Sequence, residues 1–377
     1  MKLLFTGDIN FRLCEHLTAE DAKQRIAPLW KYFEEADFRI VNLETPLGYK
    51  YESAPIYKAG PNLISDPENV EFLKGLRADA ASLANNHMGD YGYSPVLGTL
   101  KILDDAGILH AGAGKNIEAA YEPAVIEKDG KTVAILSVCE NEFGIAEEKT
   151  PGSAGYEPRR LLRYIRAAKA SYDYVILFFH GGNEHNPLPS PATRERYRLF
   201  CDMGADAVVA THTHCPQGWE IYDGKPIVYS MGNFLFKSSS PKQEDDPWYY
   251  GYLTELDLRE NIGLRIIPYR FSQDLLYTDL SAAKEMKAYL ERLNGIIQDD
   301  GLLQHYFSGW AWLHKWVPCL PVEESGVAQC TAGSWNLIHE ESHRAKLDEV
   351  FRIYTFKEEA IAAEFAEKIT ELQKMPV

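Results

Sequence analysis

Aspartate, glutamate, asparagine and histidine recur in this sequence at one kind of place, the end of a short apolar run. Asp8 and Asn10 follow Leu3-Leu4-Phe5, and Asn42 and Glu44 follow Ile40-Val41. Asn85, Asn86 and His87 follow the run from Ala80 to Ala84. His180 and Glu184, with His185 beside them, follow the run from Val175 to Phe179, and His212 and His214 follow the run from Ala207 to Ala210. Carboxylate, carboxamide and imidazole are the oxygen and nitrogen donors that hold borderline divalent ions such as Mn, Fe or Zn, rather than soft copper(I). Asp8 and Glu44 supply negative charge, His180, His212 and His214 supply nitrogen, and Asn10 and Asn86 supply carbonyl oxygen. Within a strand His212 and His214 would point to one face. In a turn just past the strand, which we expect, their rings can address different ions.

His87 differs from the other histidines. It directly follows Asn86, so one side chain can bind metal while its neighbour faces a substrate. Asp90, three residues on, could orient the imidazole. A His–Asp pair beside a metal suits a general acid that protonates a leaving-group oxygen. Glu184, His185 and Asn85 are read as substrate contacts. Taken singly, most of these residues have a plainer explanation. Asp8 after Gly7 is ordinary turn chemistry, Asn42 and Asn85 suit backbone hydrogen bonds, and Lys58 before Gly60-Pro61 reads as a solvated loop lysine. Taken together, all at strand ends, they point to one metal site, because strand ends of an α/β sheet converge on a ligand crevice.

The elements that must position these groups are legible as an alternation of apolar runs and helical patterns from residue 2 to 270, which indicates an α/β fold. Strands are expected at residues 2–6, 38–42, 80–83, 108–111, 174–179 and 207–210. Two hairpins should turn at Asp129-Gly130 and Asp223-Gly224, since Asp-Gly between β-rich runs is a strong hairpin signal. Further strands are expected at 250–258 and 264–271, so the sheet is mixed and two stacked sheets are favoured over one. Asp66-Pro67 and Ser190-Pro191 carry the signature of helix starts. From about residue 280 the pattern becomes helical, with helices expected at 282–297 and 344–374. Between them lies an aromatic segment with Tyr306, Phe307, Trp310, Trp312 and Trp316, suited to packing or to the interface of a homo-oligomer. The division expected is a site-bearing unit at 1–275 and a helical C-terminal region at 276–377 packed on it.

Composition sets outer bounds. With a net charge of −16 over 377 residues, the chain lacks the footprint of a nucleic-acid or anionic-membrane binder. A polyanionic substrate would need a local basic patch or a metal to offset that field. The six cysteines form no CxxC pair and read as free thiols of a reducing compartment. No apolar stretch is long enough to span a membrane. MKLLFTGD enters a strand with no apolar leader region, so the expected location is cytoplasmic.

The segments GD (7–8), NLETPL (42–47), SLANNHMGDYG (82–92), HGGNEH (180–185), GADAVVATHTH (204–214) and QGWEIYDGKPIVYSMGNFLF (217–236) resemble the CapA family of bacterial capsule and poly-γ-glutamate synthesis proteins. That family is a branch of the calcineurin-like metallophosphoesterases. NLIHEESHR (336–344) resembles the tails of some members. The resemblance implies a four-layer α/β/β/α sandwich with two divalent metal ions (Mn, Fe, Zn or Mg). It implies metal binding by Asp8, Asn86, His180, His212 and His214, with His87 in the acid position. The superfamily's Asp-x-His is here Asp8-Ile9-Asn10, and its bridging Asp motif is Asn42-Leu43-Glu44, which leaves Glu44 to bridge through its longer arm. The function implied is a metal-dependent phosphoester hydrolase acting on a small-molecule or polymer substrate. The alternative is a non-hydrolytic accessory or binding protein of capsule synthesis with a degenerate metal site.

Overall fold

The computed structural model describes residues 1–14, 16–259, 261–315 and 332–376. Trp316, named above, and two of the six cysteines, Cys319 and Cys330, lie outside the described residues. Two sheets dominate. In the first, the strands run side by side in the order Tyr277–Asp279, Gly263–Phe271, Tyr250–Asp257, Lys2–Asn10, Phe38–Leu43, Ala80–Ser82 and Leu109–Ala111. The strand Asn233–Phe236 joins the far end of Lys2–Asn10. The second sheet has the order Trp219–Tyr222, Lys225–Val228, Ala207–Thr211, Tyr174–His180, Lys131–Cys139 and Ala124–Lys128.

The sheets stack through apolar faces. Phe5 meets Phe178 edge-on at 5.7 Å, and Ser82 and Ser137 share a hydroxyl–hydroxyl hydrogen bond of 2.8 Å. The helices Val70–Gly75 and Tyr93–Ala106 flank the first sheet, and Pro158–Ser171 and Pro191–Met203 flank the second. The result is the α/β/β/α sandwich expected. Its central strands are buried on both faces, which is why they read as unbroken apolar runs rather than alternating ones. Both hairpins turn where expected. φ is positive at both turn residues, 54° and 74° at Asp129-Gly130 and 48° and 75° at Asp223-Gly224, as a type I′ turn requires.

Parallel pairing decides where the polar residues go. Lys2–Asn10, Phe38–Leu43 and Ala80–Ser82 are mutually parallel, as are Lys131–Cys139, Tyr174–His180 and Ala207–Thr211. Their carboxyl ends therefore share an edge, and register sets Asp8 opposite Asn42 and Thr211 opposite His180. Gly7 is needed for this crossing: a Cβ there would lie 1.9 Å from the Gly232 carbonyl oxygen.

The helix-start signals behave differently. Ser190 accepts a hydrogen bond from the Thr193 N–H at 3.0 Å, whereas Asp66 precedes a short 3₁₀ turn, Pro67–Asn69, and makes no cap bond with its side chain. The C-terminal region also differs in detail from expectation. The aromatic segment forms a helix, Asp300–Leu313, that buries Tyr306, Phe307 and Trp310 in the same apolar core as the sheets. The single helix expected at 344–374 is two, Glu341–Phe356 and Glu359–Leu372. They are separated at Lys357, whose φ of 58° is a left-handed conformation that no Gly or Pro announces. Among the described residues, no helix is long and apolar enough to cross a membrane.

Candidate metal centre

At the shared strand edge the chain turns sharply. His212 and His214 sit just past the strand Ala207–Thr211 with φ of 102° and 55°. Positive φ in two non-glycine residues is costly backbone, and it separates the two rings. His212 Nδ1 lies 3.0 Å from His180 Nε2, while His214 Nε2 lies 3.8 Å from Glu44 Oε1 and His214 Nδ1 lies 3.5 Å from Asp8 Oδ2. His180 Nε2 also stands 3.2 Å from Asn86 Oδ1 and 3.7 Å from Glu44 Oε1. Donors bound at about 2.1 Å to one tetrahedral ion stand roughly 3.4 Å apart, so these separations are those of a ligand cage.

Two triads result, Glu44–His180–His212 and Asp8–Glu44–His214, in each of which the ligand atoms lie within 4.8 Å of one another. Glu44 belongs to both. Its two oxygens are buried and accept no hydrogen bond, and Asn42 Oδ1 is similarly without a donor. Burial raises the Glu44 pKa well above the usual range, and the nearby Asp8 and Glu184 charges add to that. Burial, with His212 and His214 close by, drives His180 well below its ordinary value, so its ring is a neutral nitrogen donor. A buried carboxylate without donors is strongly disfavoured unless a cation completes it. The donor set therefore fits a divalent ion, with Glu44 common to both triads.

Two of the outer ring nitrogens have the hydrogen-bond partner that a ligating imidazole needs. His180 Nδ1 meets Thr211 Oγ1 at 3.1 Å and His214 Nδ1 meets Asn233 Oδ1 at 2.9 Å, whereas His212 Nε2 stands 3.8 Å from Glu142 Oε1, beyond hydrogen-bond reach. Asn42 donates to Asp8 Oδ1 at 2.7 Å and fixes that carboxylate.

His87 Nε2 points to the same centre, 3.9 Å from Glu44 Oε1, and its Nδ1 is 2.7 Å from Asp90 Oδ2. Lys58 enters between them, with its Nζ 2.5 Å from Asp90 Oδ1 and 3.1 Å from His87 Nδ1. Its side chain is only 2% exposed, so the solvated-lysine reading fails: the loop folds over the site and Asp90 neutralises the ammonium. Burial and then the Lys58 charge push His87 down to about 4, against the opposing pull of Asp90. A cavity of about 470 Å³ opens over this centre, and Asn86, His87, Glu184, His185 and His214 face it.

Two of the sequence candidates stand apart. Asn10 donates to the Glu44 carbonyl at 3.0 Å and accepts from the Arg12 N–H at 2.9 Å, so it braces the Glu44 turn. Asn85 donates to the Leu43 and Leu83 carbonyls and accepts from the His87 N–H, behind the cavity wall. Glu142 and Asn233 were not found from sequence, and Lys58 was named there only as a solvated lysine. Asn233 lies inside the YSMGNFLF segment, and that was its only signal.

The C-terminal helices form one wall. Asn336 and His343 line the cavity, and Asn336 donates to Glu142 Oε2 at 3.3 Å. They are anchored by a second buried acidic node. Glu140 pairs with Arg196 and accepts from the Gly182 N–H at 2.9 Å and the Ser342 hydroxyl at 2.8 Å. Glu340 caps its helix by accepting from the Ser342 and His343 N–H groups, and Glu341 accepts from the Asn141 N–H and carboxamide. Burial opposes ionisation of Glu140, but Arg196 and its donors prevail and its pKa falls. Burial and the Glu140 charge raise that of Glu340, outweighing its backbone donors.

Comparison with known proteins gives the family. Residues 2–238 match the family described as bacterial capsule synthesis protein PGA_cap. The capsule biosynthesis protein CapA of Bacillus anthracis is 30% identical over 238 residues, 61% of this chain and 56% of that protein. The PGA biosynthesis protein CapA of Bacillus subtilis is 30% identical over 252 residues, 64% of each chain. The chain thus spans less than two thirds of the length of either relative. Among solved structures, TT1561 of Thermus thermophilus aligns over 70% of this chain and 97% of its own at 14% identity, with a TM-score of 0.39. The family match covers well over half of the chain and includes each ligand candidate from Asp8 to His214. The chain belongs to the PGA_cap family of bacterial capsule synthesis proteins.

Proposed function

We propose that this protein is a metal-dependent hydrolase of phosphoesters that serves capsule or poly-γ-glutamate synthesis. The observation that carries the reading is Glu44, a buried carboxylate without donors, shared by two triads of ligand atoms. In this reading Glu44, Asn86, His180 and His212 hold one divalent ion, and Asp8, Glu44 and His214 hold the other. Bound ions would supply Lewis-acid charge toward a phosphoryl oxygen and toward the attacking water.

The protein's own groups do the rest. Asp90 fixes the His87 ring through Nδ1 and leaves Nε2 facing the cavity. At rest the ring is neutral, because burial and Lys58 hold its pKa down. An incoming phosphoester brings negative charge, which favours the protonated ring. Nε2 then delivers that proton to the leaving oxygen, a contribution of about 10²–10⁴ in rate. Glu184 and His185 contact the substrate from the cavity wall, and the helices Ala332–His339 and Glu341–Phe356 close the site on the side of Asn336 and His343. Cys14, Cys139, Cys201 and Cys215 are free thiols, which supports a reducing, cytoplasmic setting.

The test is hydrolysis of bis-p-nitrophenyl phosphate and p-nitrophenyl phosphate by Mn-loaded protein. Turnover is expected, with a loss of roughly 10²-fold or more in His87→Ala. Turnover no higher than that of His87→Ala would overturn the hydrolase reading. Full metal occupancy without turnover would favour the accessory role in capsule synthesis.

A further inference from the structure

The chain carries a net charge of −16, yet the mouth of its cavity is basic, with Arg12, Lys237 and Lys242 on the rim. Lys242 is partly neutralised by Asp246 at 3.4 Å. Arg12 and Lys237 have no ion pair or side-chain hydrogen bond among the described residues. Their placement follows from strand register. Lys2–Asn10 and Asn233–Phe236 pair in parallel, with Asn10 opposite Phe236. Arg12 and Lys237 therefore leave neighbouring strand ends, pointing two like charges at one opening. The Lys237 loop is pinned, since Gln273 accepts from the Ser238 N–H at 3.3 Å and donates to the Ser238 carbonyl at 2.9 Å. Like charges side by side repel, and in a chain rich in acidic residues such a pair without counter-ions marks a place for an anion. Ser239 and Ser240, exposed on the same rim, add hydroxyl donors.

We propose that Arg12 and Lys237 form a second anion subsite, which takes a carboxylate or phosphate group of the substrate other than the one at the metal centre. This deepens the hydrolase reading and rests on it for the identity of the first group. The substrate is then an extended molecule with at least two separated negative charges, and the rim offsets the repulsion that the acidic chain would otherwise exert on it.

The test is fluorescence anisotropy at low salt, with metal-loaded and with chelator-treated protein. The probes are fluorescein-labelled tetraglutamate, its uncharged tetraglutamine analogue and a labelled linear oligophosphate. The charged probes are expected to bind, and tetraglutamine is not. R12Q/K237Q should weaken binding about tenfold, the scale of two to three exposed ion pairs. K101Q/K287Q, which removes the same charge from exposed helical positions, should leave binding unchanged. Whichever charged probe binds tighter names the group, carboxylate or phosphate. An equal loss in K101Q/K287Q, or equal binding of tetraglutamine, would overturn the subsite. Unchanged melting temperatures confirm that the variants are folded. Turnover of bis-p-nitrophenyl phosphate by the Mn-loaded wild type reports on the hydrolase reading alone. Its absence would remove that reading, while anisotropy would still decide the subsite.

Discussion

Two buried acidic clusters sit at the strand ends of this protein, and each brings at least three potential metal ligands within 4.8 Å. One is centred on Glu44 and the other on Glu140, Glu340 and Glu341. By residue type both could hold an ion, and the difference lies in what surrounds the oxygens. Glu140 has a guanidinium, a hydroxyl and a backbone N–H, while Glu340 and Glu341 accept from backbone and carboxamide groups. Among the described residues nothing donates to the Glu44 carboxylate, and only imidazole nitrogens and another carboxylate stand nearby. A buried negative charge must be compensated. The protein supplies the compensation at the Glu140 node, and in the proposed reading a cation supplies it at Glu44. On that reading acidic clustering alone does not mark a metal centre, whereas acidic clustering without donors does.

The contrast can be broken from either side. Arg196→Met removes the cation from the structural node and leaves Glu140 charged and buried. It should destabilise the fold by about 3–5 kcal/mol in urea unfolding, while the folded fraction keeps its metal. At the other cluster, chelation should lower the stability of the metal-loaded wild type by about 3 kcal/mol for each ion when the ions had been present at roughly a hundred times Kd. Arg196→Met should respond to chelator as strongly as wild type. Glu44→Gln should bind little metal by elemental analysis and show almost no chelator response. Its chelated form should be no less stable than chelated wild type, because burial already favours the neutral form of Glu44 when no cation is present, and Gln is its neutral isostere. The smallest effect belongs to Ser342→Ala, which takes one hydroxyl from an otherwise satisfied carboxylate and should cost about 1–2 kcal/mol with metal content unchanged.

The same contrast explains what was legible in the sequence. Asp8, Glu44, His180, His212 and His214 could be read because each ends an apolar run, and parallel strands end at one edge. The hairpins could be read because Asp-Gly has few other uses between β-rich segments. Lys58 could not, since it comes from an aperiodic loop where a lysine normally faces water, and only tertiary folding brings it onto Asp90. Asn42 was taken for a backbone partner, yet it holds the Asp8 carboxylate. Asn10 and Asn86 have the same side chain and comparable strand-end positions. Backbone partners occupy Asn10, whereas Asn86 Oδ1 faces His180. The Glu140 node joins positions some two hundred residues apart; NLIHEESHR carries Glu340, Glu341 and Ser342, but nothing in the sequence pointed from it to Glu140. The break at Lys357 was invisible because an ordinary side chain there adopts a glycine-like conformation.

The central claim is that Glu44 lies between two ions. Anomalous diffraction from a crystal of Mn-replete protein tests it most directly. The account predicts two peaks flanking the Glu44 carboxylate, one beside His180 and His212 and the other beside Asp8 and His214, and none at Glu140. A peak at the Glu140 node with Glu44 left uncoordinated would contradict it, as would metal-replete protein with no ion at Glu44.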